Sequence, residues 1–227
     1  MFNKFLKWIK RSFKSPVTPP DPSRFDNPVA LRTSWSPLKS GGTNFKTHNY
    51  VEERDEVRFQ PTMGALIFCG FFISFGALFA LIAFSSMHQT NEPFQLEVLL
   101  AILIPLIFSG VGIFMFRLLT TPIVFNKHKG YYWKGRVNEN QRIAQADLKV
   151  KCKLTEIEAV QVIAEWISGH SSGSSGGSSY YQSYEINLVL KDASRLNVVD
   201  YGHYRGVVES AQKLSHYLGI PLWDATR

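Results

Sequence analysis

The sequence predicts a membrane α-helical hairpin joined to a soluble α+β domain. Two stretches without an ionisable side chain, 62–84 and 98–116, are each long enough to cross a bilayer. Short strand-like segments dominate the chain after residue 120. An amphipathic segment at 204–218 predicts a C-terminal helix that caps an antiparallel sheet.

The composition indicates a basic chain in a reducing compartment. The 227 residues carry 25 Lys and Arg against 18 Asp and Glu, a formal net charge of +7. The excess lies at the N-terminus and beside the apolar stretches, so anionic lipid headgroups are expected partners. The sequence has no nucleic-acid-reading motif, and we expect no nucleic-acid partner. Two cysteines, Cys69 and Cys152, cannot build a disulfide framework or a zinc cluster within one chain.

Residues 1–14 predict a basic amphipathic helix that lies in the membrane interface. At about 100° per residue, apolar side chains fall on one face and basic side chains on the other. Each basic residue near an anionic surface contributes about 1 kcal/mol to binding. The pattern also fits a helix that packs on the protein's own soluble domain, or a mitochondrial presequence. The predicted membrane-surface residues are Phe2, Lys4, Phe5, Lys7, Trp8, Ile9, Lys10, Arg11, Phe13 and Lys14.

Two segments connect this helix to the membrane. Six prolines between residues 15 and 37, followed by two glycines, predict a disordered linker over 15–48. The charged juxtamembrane segment 49–61 predicts a short helix that ends before Pro61.

The two apolar stretches predict a transmembrane hairpin over 62–119 with both ends in the cytoplasm. They rise about 34 Å and about 28 Å, enough for the hydrocarbon core. The connecting loop, 85–97, contains no Lys or Arg, whereas basic residues follow the second stretch closely. By the positive-inside rule, the loop lies outside and both termini lie in the cytoplasm.

Small residues at helical spacing predict close packing of the two spans, or of several copies in a homo-oligomer. Neither span carries an ionisable residue at membrane depth, which argues against a pump or carrier. An oligomeric pore lined by Ser and Gly stays open as an alternative. The predicted helix-packing residues are Gly70, Ser74 and Ala77 in the first span and Ala101, Pro105, Ser109 and Gly112 in the second.

The remaining residues, 120–227, predict a β-rich cytosolic domain. A hairpin signal lies at 127–130, where a glycine is available for a positive φ. The Gly- and Ser-rich stretch 168–179 predicts a mobile hairpin loop and lacks the Lys of a phosphate-binding loop. An apolar stripe that stops at Gly219 predicts the helix at 204–218.

Four segments of this part of the chain carry a resemblance. GYYWKG, SYEINLVLKD, RLNVVDYG and LGIPLWD resemble an uncharacterised bacterial group of two-span inner-membrane proteins. Their cytosolic part is similar to small pleckstrin-homology-like (PH-like) domains. The resemblance covers the spans and everything after them. It implies a curved antiparallel sheet capped by a C-terminal helix, and it carries no functional residues.

The sequence does not predict an enzyme. Asp200 and His203 are close in sequence, but a nucleophile, a base and an orienting group do not occur together. We therefore expect no catalytic residues, no metal site and no cofactor. His203 is expected in a surface turn or at a helix end.

The expected function is a non-enzymatic, inner-membrane-anchored module that binds a protein partner. Its most specific form is an immunity protein that neutralises a membrane-targeting antibacterial toxin. A lipid-sensing or envelope-assembly scaffold and a membrane-bound enzyme are the alternatives. Four aromatic residues are candidates for partner binding, although they also fit a core-filling role: Trp166, Tyr180, Tyr181 and Tyr184.

Overall fold

The computed structural model describes residues 20–39, 41–89, 96–138, 141–170 and 178–226. The chain divides into two compact units: a helical unit over 61–121, and a soluble unit formed by the residues before and after it. The predicted interfacial helix at 1–14 lies outside the described residues. In chain order, the elements are α1 (Pro28–Arg32), β1 (His48–Glu53), β2 (Glu56–Pro61), α2 (Met63–Gln89), α3 (Leu96–Leu119), β3 (Ile123–Asn126), β4 (Tyr131–Lys134), β5 (Val150–Lys153), β6 (Ile157–His170), β7 (Ser178–Leu190), β8 (Arg195–Tyr201), α4 (Tyr204–Leu218) and β9 (Leu222–Asp224).

The helical unit consists of α2 and α3, which are long and apolar enough to cross a membrane. Most of their large apolar side chains, such as Phe71, Leu81 and Phe114, are exposed. A core helix of a water-soluble protein would bury these side chains, whereas lipid solvates them. The structure therefore supports the predicted pair of long apolar helices.

Two glycines allow α2 and α3 to approach closely. A Cβ on Gly76 would lie 2.4 Å from the carbonyl oxygen of Pro105, and a Cβ on Gly112 would lie 2.9 Å from the backbone nitrogen of Ile73. The Ser109 hydroxyl donates to the Ile73 carbonyl at 3.0 Å. Small residues and an interhelical hydrogen bond are the usual means of helix association in lipid.

The residues predicted for helix packing in the first span do not lie at the contact between α2 and α3. Pro105, Ser109 and Gly112 of the second span lie at the contact, whereas Ala101 is exposed. In the first span, the contact uses Gly76 rather than the predicted residues, all of which are exposed: Gly70, Ser74 and Ala77. The first span carries small residues on more than one face, so spacing alone does not select the face that packs.

The soluble unit contains two sheets. Sheet 1 has the strand order β1-β2-β3-β4-β5, and sheet 2 has the order β8-β7-β6-β9. The β2–β3, β3–β4, β4–β5, β6–β7 and β7–β8 pairs are antiparallel, whereas β9 pairs in parallel with β6. Apolar residues of both sheets and of α4 share one core, which includes Phe125, Tyr132, Ile186, Val207 and Leu214. The structure thus has the predicted antiparallel sheet domain with a C-terminal amphipathic helix.

The turns and the helix end follow the predicted local chemistry. Gly130 closes the β3–β4 turn with φ 72°, as the hairpin signal indicates. Gly219 ends α4 in the left-handed conformation and donates its N–H to the carbonyls of Ser215 and His216. The strands β6 and β7 pair as far as His170 and Ser178, so they take up part of the predicted 168–179 loop. The remainder of that loop, 171–177, lies outside the described residues.

The juxtamembrane segment 49–61 is a strand pair, not the predicted helix. A two-residue turn joins β1 to β2, and Arg54 in that turn has φ 45°. Val57 and Phe59 point into the core, whereas the side chain of Arg58 between them is exposed. This alternation has the period of a strand and outweighs the charge pattern that suggested a helix.

The helical unit is an insertion between two paired strands. Glu56 pairs with Asn126 and Arg58 pairs with Val124, so β2 and β3 are neighbours in sheet 1. The chain leaves the sheet after β2, forms α2 and α3, and returns directly into β3. The soluble unit is therefore discontinuous and includes residues before the spans, in contrast to the predicted 120–227 domain.

The predicted disordered linker 15–48 is ordered in the part that the structure describes. A 3₁₀ helix at Pro22–Phe25 precedes α1, and Asn27 caps α1 by accepting from the Val29 N–H at 2.8 Å. The Trp35 ring stacks on Phe25 at 4.9 Å and lies 6.0 Å from Trp223. These side chains join a second apolar cluster with Ala159, Ile163 and Val189 of sheet 2. The prolines start short helices here, because their missing N–H is not needed in a first turn.

Replacement of Trp35 by Ala tests whether the segment that precedes β1 is ordered. Trp35 is 9% exposed in an aromatic cluster, so Trp35→Ala should lower the free energy of unfolding by about 3–5 kcal/mol. The matched control Leu31→Ala removes a side chain that is 62% exposed and should change it by no more than about 0.5 kcal/mol. Denaturant titration of the purified protein, followed by circular dichroism, measures both. Equal effects would show that this segment is a linker after all.

Gly76→Leu tests the contact between α2 and α3. The larger side chain meets the backbone of α3, so we expect it to destabilise the helical pair by about 1–3 kcal/mol. Gly70→Leu serves as the control, because a Cβ there meets no atom within 4 Å. Thermal denaturation of both variants in the same detergent compares them. A Gly70→Leu variant as unstable as Gly76→Leu would contradict the observed packing.

Candidate functional site

One face of sheet 2 carries a row of buried and half-buried polar side chains. Side chains alternate between the two faces of a strand, so positions two apart share a face. The alternate positions, such as Val162, Ala164 and Ile186, face the core that is shared with sheet 1 and α4, whereas Ile163 belongs to the second apolar cluster. We call this surface the polar face, and its members are Gln161 and Glu165 of β6, Ser183, Glu185 and Asn187 of β7, and Arg195, Asn197 and Asp200 of β8.

A segment before β1 covers the polar face. We call residues 33–39 and 41–47, which follow α1, the strap. Under it, Glu185 is 2% exposed and Glu165 is 4% exposed. A carboxylate that loses its hydration costs several kcal/mol unless hydrogen bonds replace the water. The strap supplies such hydrogen bonds.

The carboxylates accept hydrogen bonds from backbone N–H groups of the strap. Glu185 accepts from the N–H of Leu38 at 2.9 Å and from the N–H of Lys39 at 2.7 Å. It also accepts from the side-chain amide of Asn187 at 2.9 Å. Glu165 accepts from the N–H of Gly41 at 3.1 Å. Charge-assisted hydrogen bonds of this kind are stronger than neutral ones.

Donors on sheet 2 bind the carbonyl groups of the same segment. The amide nitrogen of Gln161 donates to the Ser34 carbonyl at 3.2 Å, and the Arg195 guanidinium donates to the Ser36 carbonyl at 2.8 Å. The Tyr181 hydroxyl donates to the Gly42 carbonyl at 3.0 Å. Sheet side chains thus bind both N–H and C=O groups of one main chain.

Gly42 lies so close to β7 that only glycine fits. A Cβ at this position would lie 1.8 Å from the Ser183 hydroxyl oxygen and 2.7 Å from the Ser183 Cβ. The Ser183 hydroxyl is buried and has no hydrogen-bond partner within the described part of the chain. The contact with Ser183 therefore excludes any side chain larger than that of glycine at position 42.

Burial controls the ionisation of the polar face. Burial raises the pKa of Glu185, of Glu165 and of Asp200, and repulsion from neighbouring carboxylates adds to it for the two glutamates. Glu185 pairs directly with Asp200 across β7 and β8, which places two acids side by side. Hydrogen bonds lower these pKa values again. The strap N–H groups do so for Glu185, and the amide of Asn197, which donates to Asp200 at 2.6 Å, does so for Asp200.

Lys134 of β4 is the basic neighbour of this cluster. Burial lowers the pKa of Lys134 to about 8, and the nearby charge of Lys39 contributes. Its ammonium donates to the Val198 carbonyl at 3.0 Å. A lysine with a lowered pKa beside acids occurs at many active sites. Here the amine and the glutamates bind backbone groups, so the arrangement is suited to holding a main chain.

No protein-family model, curated protein or solved structure matches the chain.

The structure separates the four predicted partner-binding aromatics. Tyr181 binds the strap, as described above. Tyr184 is buried, packs at 5.2 Å from the Tyr204 ring and donates to Gln182. Trp166 is half-buried, and the Tyr180 side chain lies outside the described residues.

His203, which was considered for an acid–base or metal site, lies at the start of α4. His203 caps the first turn of α4, where its Nδ1 accepts from the Gly206 N–H at 3.0 Å. This is the predicted helix-end position. Within the described ranges, no group of three or more His, Cys, Asp or Glu side chains is arranged to hold a metal ion.

Glu165 and Glu185 were not predicted as site residues, although the sequence contains a signal for Glu185. In SYEINLVL, Glu185 and Asn187 are two apart in an otherwise apolar strand, which indicates one polar face. Such a face is ordinarily solvated. Trp35, a large aromatic residue within the Pro-rich stretch, was the sign that this segment packs on the domain.

The raised pKa of Glu185 predicts a specific dependence of stability on pH. A carboxyl whose pKa is higher in the folded state than its ordinary value of 4.5 favours folding most when protonated. Its contribution is fully present below about pH 4.5 and is lost as the pH rises through the raised pKa. The free energy of unfolding should therefore fall less between about pH 5 and pH 7.5 in Glu185→Gln than in wild type.

Denaturant titrations at several pH values measure this difference. Glu53→Gln, at an exposed position of β1, is the control and should keep the wild-type pH dependence. A wild-type slope in Glu185→Gln would contradict the role of this carboxyl.

Proposed function

We propose that the chain is a non-enzymatic protein-binding module anchored in the inner membrane of a bacterium. One observation carries the proposal: side chains of sheet 2 bind the N–H and C=O groups of an irregular segment that lies across the polar face. Hydrogen bonds to main-chain atoms are a general means of holding peptide segments. The buried acids of the polar face are used for these bonds, which supports binding over catalysis.

The membrane part of the proposal is supported by connectivity. Because β2 and β3 are paired neighbours, both ends of the helical pair connect to one sheet. Two membrane-crossing helices then leave and re-enter on the same side. Arg117 at the end of α3, together with the absence of Lys and Arg from the 85–97 loop, favours the cytoplasm for that side.

We also propose that the soluble unit is PH-like. Its antiparallel sheets and the C-terminal helix on their shared core agree with the domain that the GYYWKG and LGIPLWD segments resemble. The short strand β9 follows the helix and pairs in parallel with β6, which is an addition to the expected pattern.

An immunity protein against a membrane-targeting antibacterial toxin is the most specific form of the proposal. A membrane-anchored domain with a face that binds main-chain groups would meet such a toxin where it acts. Deletion of the gene should sharply lower survival when sister cells attack. Restoration by the wild-type gene and by Leu31→Ala is the control. Unchanged survival of the deletion strain would remove the proposal.

A lipid-sensing or envelope-assembly scaffold is the second candidate, favoured by basic side chains on sheet 1. Lys151 pairs with Trp133 and Lys153 pairs with Tyr131 across β4 and β5. The Lys129 ammonium lies 5.7 Å from the centre of the Trp133 ring. Such surfaces favour anionic headgroups. The full chain in neutral nanodiscs should recruit phosphatidylserine vesicles. High salt and the Lys153→Glu substitution should each abolish this recruitment if the function is correct.

The proposed sidedness gives a further prediction. A fluorescent reporter protein fused after Arg227 should fold and fluoresce in the cytoplasm, whereas alkaline phosphatase fused there should be inactive. Alkaline phosphatase inserted in the 90–95 part of the loop should be active, because that loop is placed in the periplasm. The reverse activities would contradict the orientation.

A further inference from the structure

We propose that the polar face is a peptide-binding groove that the strap occupies in cis, and that a glycine-containing segment of a protein partner, with the same irregular backbone path, competes with the strap for it. This inference rests on the proposed protein-binding function. It names the chemistry of the partner segment and the means by which access to the groove is controlled.

The hydrogen bonds of the strap are transferable to another chain. The six main-chain groups bound by the sheet are the N–H groups of Leu38, Lys39 and Gly41 and the carbonyls of Ser34, Ser36 and Gly42. None of these six bonds uses a strap side chain. Any segment with the same backbone path can form them, because every residue except proline carries one N–H and one C=O.

The groove nevertheless selects its ligand by size and charge. The segment needs glycine where Gly42 lies against Ser183, since a Cβ there overlaps the serine. Proline is excluded at the positions of Leu38 and Lys39, whose N–H groups are bound. Three acids line or adjoin the groove, Glu165, Glu185 and Asp200, and they outnumber its neighbouring cations Arg195 and Lys134, so a neutral or basic segment is favoured over an acidic one.

The middle of the strap is held more weakly than its beginning. Trp35 and the residues before it lie in the second apolar cluster, whereas Leu38 is 41% exposed and Phe45 is 36% exposed. Residues 36–39, 41 and 42 therefore depend mainly on hydrogen bonds, each of which contributes about 0.5–1.5 kcal/mol net. A competing segment that supplies the same N–H groups replaces those bonds and keeps the buried glutamates satisfied.

Opening the strap should expose the groove. Gly42→Val places a side chain on Ser183 and forces this part of the strap away. Leu38→Pro opens the same segment without added bulk at Gly42, because it removes one N–H that Glu185 accepts. The probe is a fluorescein-labelled peptide of residues 33–44, TSWSPLKSGGTN, titrated into full-length protein in nanodiscs and followed by fluorescence anisotropy.

The peptide should bind Gly42→Val and Leu38→Pro at least about tenfold more tightly than wild type, because the strap occupies the groove in nearly all wild-type molecules. Gly64→Val is the matched control, since a Cβ there meets no atom within 4 Å, and it should bind like wild type. Adding Ser183→Gly to Gly42→Val makes room for the valine, so the strap should return and peptide binding should fall toward the wild-type level.

Two further measurements test whether binding occurs in the groove. A peptide with valine at its second glycine should bind Gly42→Val at least about tenfold more weakly than the unaltered peptide. Addition of Glu185→Gln to Leu38→Pro should weaken binding of the unaltered peptide by about tenfold, which is one lost charge-assisted hydrogen bond. Circular dichroism establishes that each variant is folded before titration.

The proposal is overturned if folded Leu38→Pro binds the peptide no better than wild type, or if the valine-containing peptide binds equally well. This outcome does not depend on the natural partner. Loss of survival in the deletion strain without peptide binding would leave the proposed function and remove the groove. Peptide binding with unchanged survival would leave the groove and remove the immunity function.

Discussion

A carboxylate inside a protein needs hydrogen-bond donors, and in this chain that requirement decides where the residues before β1 lie. Glu185 and Glu165 are buried on sheet 2, and backbone N–H groups of the strap complete their hydrogen bonds. The strap in turn keeps water from this face. Removal of either partner leaves the other incompletely bonded, so the two are stable only together. The same dependence makes the face a binding surface once the strap is displaced.

Local features of the fold were predictable because their causes lie close together in sequence. The two long apolar helices follow from the exclusion of ionisable residues over a bilayer's thickness. The helix at 204–218 follows from a stripe of period 3.6 and a glycine stop, and the β3–β4 turn follows from Gly130. In each case, a window of about 20 residues contains the whole signal.

The candidate site was not predictable in this way, because its partners are far apart in the chain. Leu38 and Glu185 are separated by 147 positions, and Gly41 and Glu165 by 124. A Pro-rich segment has the composition of a linker, and polar residues on alternate strand positions ordinarily face water. Only the three-dimensional contact shows that each covers the other. For β1 and β2, the alternation of Val57 and Phe59 was visible, but the charges around it concealed it.

The position of the helical unit within sheet 1 has a consequence for biosynthesis. A ribosome completes β2 well before β3, and both hydrophobic helices are made between the two. Sheet 1 therefore cannot close until both helices and β3 have been made, and β2 waits with an open edge during that interval. Completion of the soluble unit thus follows synthesis of the helical unit, and a chain that stops before β3 exposes an unpaired strand to chaperones and proteases.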